Sequence, residues 1–284
     1  MTDVQEELRK VAKDLLESGE VKMVIGWGES TVSNRTKPLF IEKPEETDKL
    51  VLNRNCRNNL SIYLSRLSDI GKLAIVAKPC DVRTIVSLIR EKQIERENIH
   101  IISFSCGGIN DNNSEELHEF CESCDVRMPP VYDTFIGPKE EADNDKEIRE
   151  KASRFFNLED DERWEEFKKE MQKCIRCYAC RNACPMCYCE ECFVERTLPR
   201  WVGEGAELSD TMIFHIVRAM HTAGRCGECG ACVRACPMGV NFSVIASKIN
   251  KDVLELFHHR AGTDSEEPPA LSTFDPEDYN DFIK

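Results

Sequence analysis

A chain of 284 residues is long enough for two domains with separate cores. Its net charge of −14 argues against binding to nucleic acid or to an anionic membrane surface, because both contacts need a basic face. No apolar run approaches the roughly 18 to 20 residues of a membrane-spanning helix, and the charged N-terminus has no apolar signal segment. We therefore expect a cytoplasmic protein, whose 16 cysteines stay reduced and act as metal ligands rather than as disulfides.

The first half of the chain alternates between strand-like apolar runs and helical patterns. The helical patterns cover residues 4–18, 56–67 and 82–92, and the apolar runs cover residues 21–27, 38–41, 73–77 and 99–104. This alternation is typical of parallel βαβ units. Residues 1–137 are therefore predicted to form an α/β domain with a small parallel sheet.

The second half of the chain has a helical period throughout. One predicted helix runs into Cys174, a second would be capped by Ser209 or Asp210, and a third covers residues 242–257. The apolar stripe predicted for the second helix is Met212, Ile213, Ile216, Val217 and Met220.

Three boundaries follow from these changes in pattern. Residues 138–150 are polar and acidic and are predicted to be a linker. Residues 151–261 then form a helical domain. Residues 262–284 carry three prolines among acidic residues and are predicted to be an extended arm, which either docks on a partner or is disordered.

Two motifs in the helical half repeat the pattern C-x2-C-x2-C-x3-C-P. The first begins at Cys174 and the second at Cys226, and the proline of each motif turns the chain away. Three thiolates at this spacing can wrap one face of a 4Fe–4S cubane, and in two-cluster ferredoxins the fourth cysteine ligates the other cluster. The sequence therefore predicts an α-helical ferredoxin module with two 4Fe–4S clusters.

The crossed ligation divides these cysteines into two sets, each predicted to hold one cluster. The first thiol set is Cys174, Cys177, Cys180 and Cys236. The second thiol set is Cys226, Cys229, Cys232 and Cys184. The alternative is a pair of zinc sites, but zinc signatures consist of two C-x2-C pairs rather than of this repeat. His215 and His221 lie near complete cysteine sets and are expected to be packing or surface residues.

A third thiol set is predicted in the α/β half; it comprises Cys80, Cys106, Cys121 and Cys124. Cys80 and Cys106 each follow an apolar strand, and a single helix joins the two strands. The strands are therefore expected to be parallel neighbours whose carboxyl ends carry both thiols. Gly107 and Gly108 would let the backbone approach a bulky group. We predict a third 4Fe–4S cluster; zinc on the same thiolates, or two buried thiols beside a redox-active pair, are the alternatives.

Three more cysteines, Cys187, Cys189 and Cys192, follow the first motif directly. Such a density of thiols is hard to explain by packing alone. We predict a further metal site, either zinc or a fourth cluster. Its missing ligand would be Cys56 or Cys80, provided that the two domains touch.

The order of these features resembles a known family. Ala77-Lys-Pro-Cys-Asp and Ser105-Cys-Gly-Gly lie in the first half, and Lys173-Cys-Ile-Arg-Cys-Tyr-Ala-Cys and Ala223-Gly-Arg-Cys-Gly-Glu-Cys-Gly-Ala-Cys lie in the second. This order is similar to the beta-subunit family of coenzyme F-420 (deazaflavin) reducing hydrogenases and formate dehydrogenases, especially its dicluster members beside heterodisulfide-reductase-type subunits. The resemblance implies an electron carrier within an anaerobic complex, with flavin, hydrogenase, formate dehydrogenase or heterodisulfide-reductase-like subunits as partners.

The resemblance does not decide whether this chain binds a flavin. Flavin-binding members have a fuller α/β domain, and here no G-x-G-x-x-G fingerprint follows a strand. Gly26-Trp27-Gly28 after the first strand indicates a turn. An iron–sulfur electron-transfer subunit is therefore the first hypothesis, and no catalytic triad, P-loop or carboxylate pair competes with it. A subunit with its own FAD, exchanging hydride with deazaflavin or another carrier, and a zinc-stabilised assembly scaffold are the alternatives.

Overall fold

The computed structural model of the protein describes residues 2–111, 116–122, 124–139 and 157–268. The α-helices are α1 (Thr2–Glu17), α2 (Pro79–Arg90), α3 (Glu119–Glu122), α4 (Asp160–Gln172), α5 (Ala179–Asn182), α6 (Leu208–His221), α7 (Ala231–Arg234) and α8 (Ser243–Phe257). The strands are β1 (Met23–Glu29), β2 (Thr36–Ile41), β3 (Leu73–Ala77), β4 (Ile99–Phe104) and β5 (Thr134–Ile136). Within the described part of the chain, no helix is both long enough and apolar enough to span a bilayer.

The five strands form one sheet in the order β2-β1-β3-β4-β5. Strands β1, β3, β4 and β5 are parallel, which confirms the predicted α/β class. Strand β2 is antiparallel to β1, so the expectation of an all-parallel sheet is wrong at this edge. The loop at residues 30–35 is too short for the crossover that parallel neighbours need. Strand β5, which spans only three residues, was not predicted.

The core of this domain lies on both faces of the central strands. Every residue of β3 is buried, as is typical of a parallel strand that is covered on both sides. Helix α1 buries Leu8 and Ala12 and packs against β1 and β5. Helix α2 buries Val82 and Ile85 and packs against β3 and β4. The carboxyl ends of β3 and β4 therefore emerge at one edge of a rigid sheet.

The helix predicted over residues 56–67 is wrong. This region contains only a short 3-10 turn at Leu60–Tyr63. The Asn59 side chain accepts hydrogen bonds from the backbone N–H and the hydroxyl of Ser61, at 3.0 and 2.6 Å. Such side-chain bonds compete with the helical backbone. The apolar spacing of Leu60 and Leu64 reflects their burial in the core rather than a helix.

The three helices predicted in the second half correspond to α4, α6 and α8. Helix α6 begins at Leu208, with Glu207 at its N-cap and no side-chain capping bond, so neither Ser209 nor Asp210 is the cap. The predicted linker lies outside the described residues from position 140 onward. The predicted arm does so from position 269 onward.

The apolar stripe predicted for α6 is wrong for three of its five residues, whereas Met212 packs against a core cluster. Ile213, Ile216 and Met220 are exposed, whereas His215 and Arg218 are buried. The buried face of this helix lies over the cysteine motifs, where hydrogen-bond donors to sulfur and carbonyl oxygen are needed. The same face also buries Phe214 and Ala219, and Ile213, Ile216 and Met220 point outward.

The two halves of the chain pack against each other. Met186, just after the first cysteine motif, belongs to the hydrophobic core of the sheet domain. The guanidinium of Arg225 donates to the Glu91 carboxylate at 2.7 Å, and the Tyr188 hydroxyl donates to the same carboxylate at 2.7 Å. On the other side, Arg83 of α2 is ion-paired with a residue of the second motif. These contacts bring the carboxyl edge of the sheet onto the second cysteine motif.

Candidate metal centres

The two cysteine motifs repeat the same backbone conformation. In the first motif Arg176 and Tyr178 have φ angles of 57° and 60°, and in the second Glu228 and Gly230, at the equivalent positions, have 56° and 66°. A left-handed residue other than glycine costs free energy, so the surroundings must hold each motif in shape. Each turn is followed by a short helix, α5 or α7. The repeated turns make the three thiols of each motif converge.

The structure brings the first thiol set together around one cavity. Its four cysteines line this cavity along with Phe214 and Val240. The backbone N–H of Arg176 donates to Cys174 Sγ at 3.4 Å, and the N–H of Val240 donates to Cys236 Sγ at 3.3 Å. Amides aimed at the sulfurs favour thiolates there. One edge of this set reaches the surface, because Cys177 is exposed.

The second thiol set surrounds a neighbouring cavity that is more enclosed. Its four cysteines line this cavity together with Thr84 of α2 and Phe242. Burial, and then the neighbouring thiols Cys184 and Cys229, raise the pKa of Cys226 to about 12. Packed thiols without a compensating cation resist ionisation, whereas iron would hold them as thiolates. The structure thus brings together the cysteines of each crossed set, although Cys232 of the second set also lines the first cavity; the ligand assignment stays a prediction.

The third thiol set also converges in the structure. Burial raises the pKa of Cys106 to about 11, with Cys121 and Cys124 among its charge neighbours. The N–H of Gly108 donates to Cys106 Sγ, and the N–H of Ile109 donates to Cys121 Sγ, both at 3.4 Å. The predicted position of two thiols at the carboxyl edge of the sheet agrees with this geometry.

Cys80 links the third set to the second. Burial raises the pKa of the Cys80 thiol, and both Cys229 and Cys106 lie close enough to add to that shift. The contact exists because α2 begins at Pro79 and packs its first turn against the second motif. A Cβ on Gly227 would lie 3.4 Å from the Cys80 carbonyl oxygen, so the two segments touch.

The three cysteines that follow the first motif differ from one another in their surroundings; they are Cys187, Cys189 and Cys192. A hydrogen bond with Cys184 lowers the pKa of Cys187 to about 7, and Arg218 assists. Cys187 thus lies with the second set, whereas Cys189 is exposed. Considering only the residues described, no three His, Cys, Asp or Glu side chains form a group that could hold a metal ion. A cubane spreads its ligands around a larger body than one ion, and the further metal site stays a prediction.

The cysteines suggested as the missing ligand have other neighbours. Cys56 is buried in the sheet domain, where its thiol donates to the Val51 carbonyl oxygen at 3.7 Å and accepts the Asn53 N–H at 3.4 Å. Cys80 lies in the third set, as described above. Cys56 is therefore a thiol outside the three sets.

Two residues of α6 belong to the site although the sequence did not single them out as functional. His215 was expected to be a packing or surface residue; it is buried, and its Nε2 lies 3.4 Å from Cys174 Sγ. Burial lowers the pKa of His215 to about 3, which keeps the ring neutral. The other residue is Arg218, which donates to the Cys180 carbonyl oxygen at 3.1 Å. Their i, i+3 spacing on one helix between the motifs was the signal available in the sequence.

The buried hydrogen-bond donors around these cavities fit iron–sulfur clusters. His215 Nδ1 and two guanidinium nitrogens of both Arg176 and Arg218 are buried without a hydrogen-bond partner among the described residues. Buried polar atoms are almost always satisfied, so orphaned donors beside thiols mark places where further acceptors belong. Cluster sulfides are such acceptors, and soft thiolates are the ligands that these clusters prefer.

The comparisons with known proteins agree with this geometry. Residues 170–240 match a family described as a 4Fe-4S dicluster domain. The F420-dependent formate dehydrogenase subunit beta of Methanocaldococcus jannaschii is 24% identical, covering 83% of this chain and 86% of that protein. The F420-dependent formate dehydrogenase 1 subunit beta of Methanococcus maripaludis is 26% identical over 91% of each protein.

One solved structure shows a limited likeness. It is a xenon derivative of the F420-reducing [NiFe] hydrogenase complex from Methanosarcina barkeri, with 16% identity and a TM-score of 0.31. The match covers 36% of this chain and 38% of that one. The sequence matches thus show that the chain is similar to the beta subunits of F420-dependent formate dehydrogenases over most of its length, and that residues 170–240 match a 4Fe-4S dicluster domain.

Proposed function

We propose that this chain is an iron–sulfur electron-transfer subunit of a multi-subunit oxidoreductase, in which the three thiol sets form one continuous relay. The observation that carries the proposal is the contiguity of the sets. Cys80 of the third set lies beside Cys229 of the second, and Cys232 of the second lies beside Cys180 of the first. The first set then reaches the surface at Cys177.

The protein's own residues hold and insulate this path. When bound, 4Fe–4S clusters accept and release single electrons. The cysteines of the three sets are proposed as the ligands, and the N–H groups of Arg176 and Val240 steady two of their sulfurs. Helices α2 and α6 cover the second set and exclude water from it. The exposed edge at Cys177 is proposed as the point where electrons are exchanged with a partner.

A redox partner fits the outer face of α6. Ile213, Ile216 and Met220 are exposed there at helical spacing, and exposed apolar patches commonly mark contacts with other proteins. The named relatives are subunits of F420-dependent formate dehydrogenases, so formate dehydrogenase, hydrogenase, flavin or heterodisulfide-reductase-like subunits are the proposed partners. The proposal places the complex in the cytoplasm, where thiols stay reduced.

Iron and sulfide analysis of the anaerobically purified protein, combined with EPR during redox titration, tests the number of clusters. Three filled sets give about 12 irons per chain, because each cubane holds about four. Cys106→Ser should lower the count to about 8 irons and remove one EPR signal. Cys56→Ser is the matched control, a buried thiol of the same domain outside the sets, and it should leave both unchanged.

The outcomes separate the parts of the proposal. A wild-type count of about 8 irons that Cys106→Ser does not change would remove the third cluster and leave the dicluster carrier. A colourless protein that contains zinc would overturn the electron-transfer function and favour an assembly scaffold. Flavin released by acid would instead support the alternative of a catalytic subunit with its own FAD.

A further inference from the structure

Arg218 is a buried cation that lies between the first and second thiol sets. It projects from the inner face of α6, and only 3% of its surface is exposed. Its guanidinium carbon lies 4.4 Å from the centre of the Phe242 ring, and its Nη2 donates to the Cys180 carbonyl oxygen at 3.1 Å. The ring and the carbonyl fix the plane of the guanidinium, so its other nitrogens have a defined direction.

Thiols of both sets lie close enough to the Arg218 guanidinium to act on its charge. Nε and Nη1 are buried, and neither has a hydrogen-bond partner among the residues that the structure describes. Burial opposes the charge of Arg218, but Cys232, Cys184, Cys187 and Cys180 outweigh it and raise its pKa. Cys180 belongs to the first set, and Cys184 and Cys232 belong to the second. An arginine stays charged in a protein, so this site holds a permanent positive charge.

We propose that Arg218 is a positioning residue that serves as the shared counter-charge of the first and second clusters and raises the reduction potential of both. The inference rests on the proposed function, because it needs clusters in these two sets. A cubane with four thiolate ligands is an anion, and reduction adds one more negative charge. A fixed cation nearby stabilises the reduced form more than the oxidised form, and poor solvent screening strengthens the effect.

Arg176 provides an internal contrast. It also has Nε and Nη1 buried without a partner in the described part of the chain. Its Nη2 donates to the Tyr178 hydroxyl at 2.9 Å and to the Gly203 carbonyl oxygen at 3.0 Å. The thiol on which its charge acts is Cys174, of the first set. Arg176 should therefore influence the first cluster, whereas Arg218 should influence both.

EPR-monitored redox titration of the full chain, purified anaerobically with its clusters, tests this difference. The signal lost in Cys177→Ser identifies the first cluster. In Arg218→Gln we expect both potentials to fall by at least 59 mV, which is a tenfold change in the ratio of oxidised to reduced cluster. Arg218→Lys, which keeps the charge, should restore most of the shift. Arg176→Gln should lower the first potential only.

Arg96→Gln is the distant control. Arg96 pairs with Asp133 at the amino end of β4, away from the thiol sets, and its loss should move neither potential. Unchanged potentials in Arg218→Gln with full iron content would overturn the proposal, and a shift in one cluster alone would overturn the shared role. If Arg218→Gln loses its iron, Arg218→Lys decides: iron and potentials near those of the wild type support the counter-charge, and loss of iron there too assigns Arg218 to packing. A wild-type protein without clusters would sink the proposed function itself.

Discussion

The two cysteine motifs have the same spacing and the same left-handed turns, yet they occupy different surroundings. In the first motif Ile175, which follows the first cysteine, is 55% exposed, and Cys177 reaches the surface. In the second motif the equivalent of Ile175 is Gly227, which packs against Thr84 of α2. The equivalent of Arg176 is Glu228, which pairs with Arg83 at 2.9 Å.

The repeated cysteine spacing brings the thiols of each motif together, but it does not determine whether those thiols are buried or exposed. The local turn directs the thiols toward one point, and it does so equally in both motifs. The environment decides whether a set is enclosed or reaches the surface, and so whether it would be an internal step or the terminus of the proposed relay. The second set lies against the sheet domain and connects to Cys80, and the first set opens to solvent at Cys177.

The largest expected effect comes from removing one ligand of each motif. Cys229→Ser and Cys177→Ser should each lose about one cluster, or about four irons, and the EPR signals that disappear should differ. Cys229→Ser should also lower the thermal stability further, because its set packs against Thr84 of the sheet domain whereas the first set opens to solvent. Loss of the same signal in both variants would contradict the crossed assignment.

The next effect concerns the position after the first cysteine. A Cβ on Gly227 would lie 2.7 Å from Thr84 Cγ2, and Thr84 is buried and bonded to the Ser61 hydroxyl at 2.7 Å. Gly227→Ala should therefore destabilise the protein by about 2 kcal/mol through overpacking. Ile175→Ala, at the exposed equivalent position, should change stability by less than about 0.5 kcal/mol. Denaturant unfolding measures the change in stability in both variants. Equal changes would show that positions 227 and 175 do not differ in their surroundings.

Glu228 tests the charge pairing at the interface. Its carboxylate accepts from Arg83 at 2.9 Å and from Arg260 at 3.2 Å, and Arg83 is only 2% exposed. Glu228→Gln removes the anion of the buried Arg83, whereas Arg260 keeps its pair with Asp125, so we expect a loss of about 1.5 kcal/mol. Arg163→Gln is the control, since Arg163 pairs with the exposed Asp160 and should cost far less. An unchanged free energy of unfolding in Glu228→Gln would mean that solvent screens the ion pair between Glu228 and Arg83.

The smallest expected effect is a pH dependence of the free energy of unfolding. It arises at His118 of the sheet domain, which lies near Arg234 of the second motif. Burial, assisted by Arg234 and Arg57, lowers the pKa of His118 from 6.5 to about 4. Because the folded pKa is depressed, the contribution of neutral His118 to stability is complete above about pH 6.5 and is lost as the pH falls toward about 4. The loss near pH 5.5 should be about 1 kcal/mol.

Comparison of the wild type with His118→Gln isolates the contribution of His118 to stability, since the two proteins differ only at this residue. The difference in unfolding free energy between the two proteins should shrink as the pH is lowered from 7 to 5.5. In Arg234→Gln the pKa of His118 should rise and the loss should begin at higher pH. The equivalent of Arg234 in the first motif is the uncharged Asn182, so Asn182→Ala should not move the titration. A pH-independent difference would contradict the depressed pKa.

Much of the site could be predicted from the sequence because it is local. The spacing from Cys174 to Cys180 and from Cys226 to Cys232 determines which thiols can meet, and the fourth cysteine of each motif is only a short turn further on. The α/β class also follows from short-range alternation. The antiparallel β2 and the absent helix at residues 56–67 were missed because a short loop and an asparagine side chain overrode the apolar spacing.

By itself, the sequence determined the fold class of each half and the convergence of three thiols within each motif, since both depend on neighbours along the chain. Only the tertiary structure decided that Cys80 meets Cys229, that Cys177 is the exposed edge, and that α6 turns Arg218 inward while Ile213, Ile216 and Met220 face solvent. These features depend on how distant segments pack. The buried face of α6 combines apolar residues such as Phe214 with polar residues beside the thiols, a mixture that apolar spacing alone does not predict.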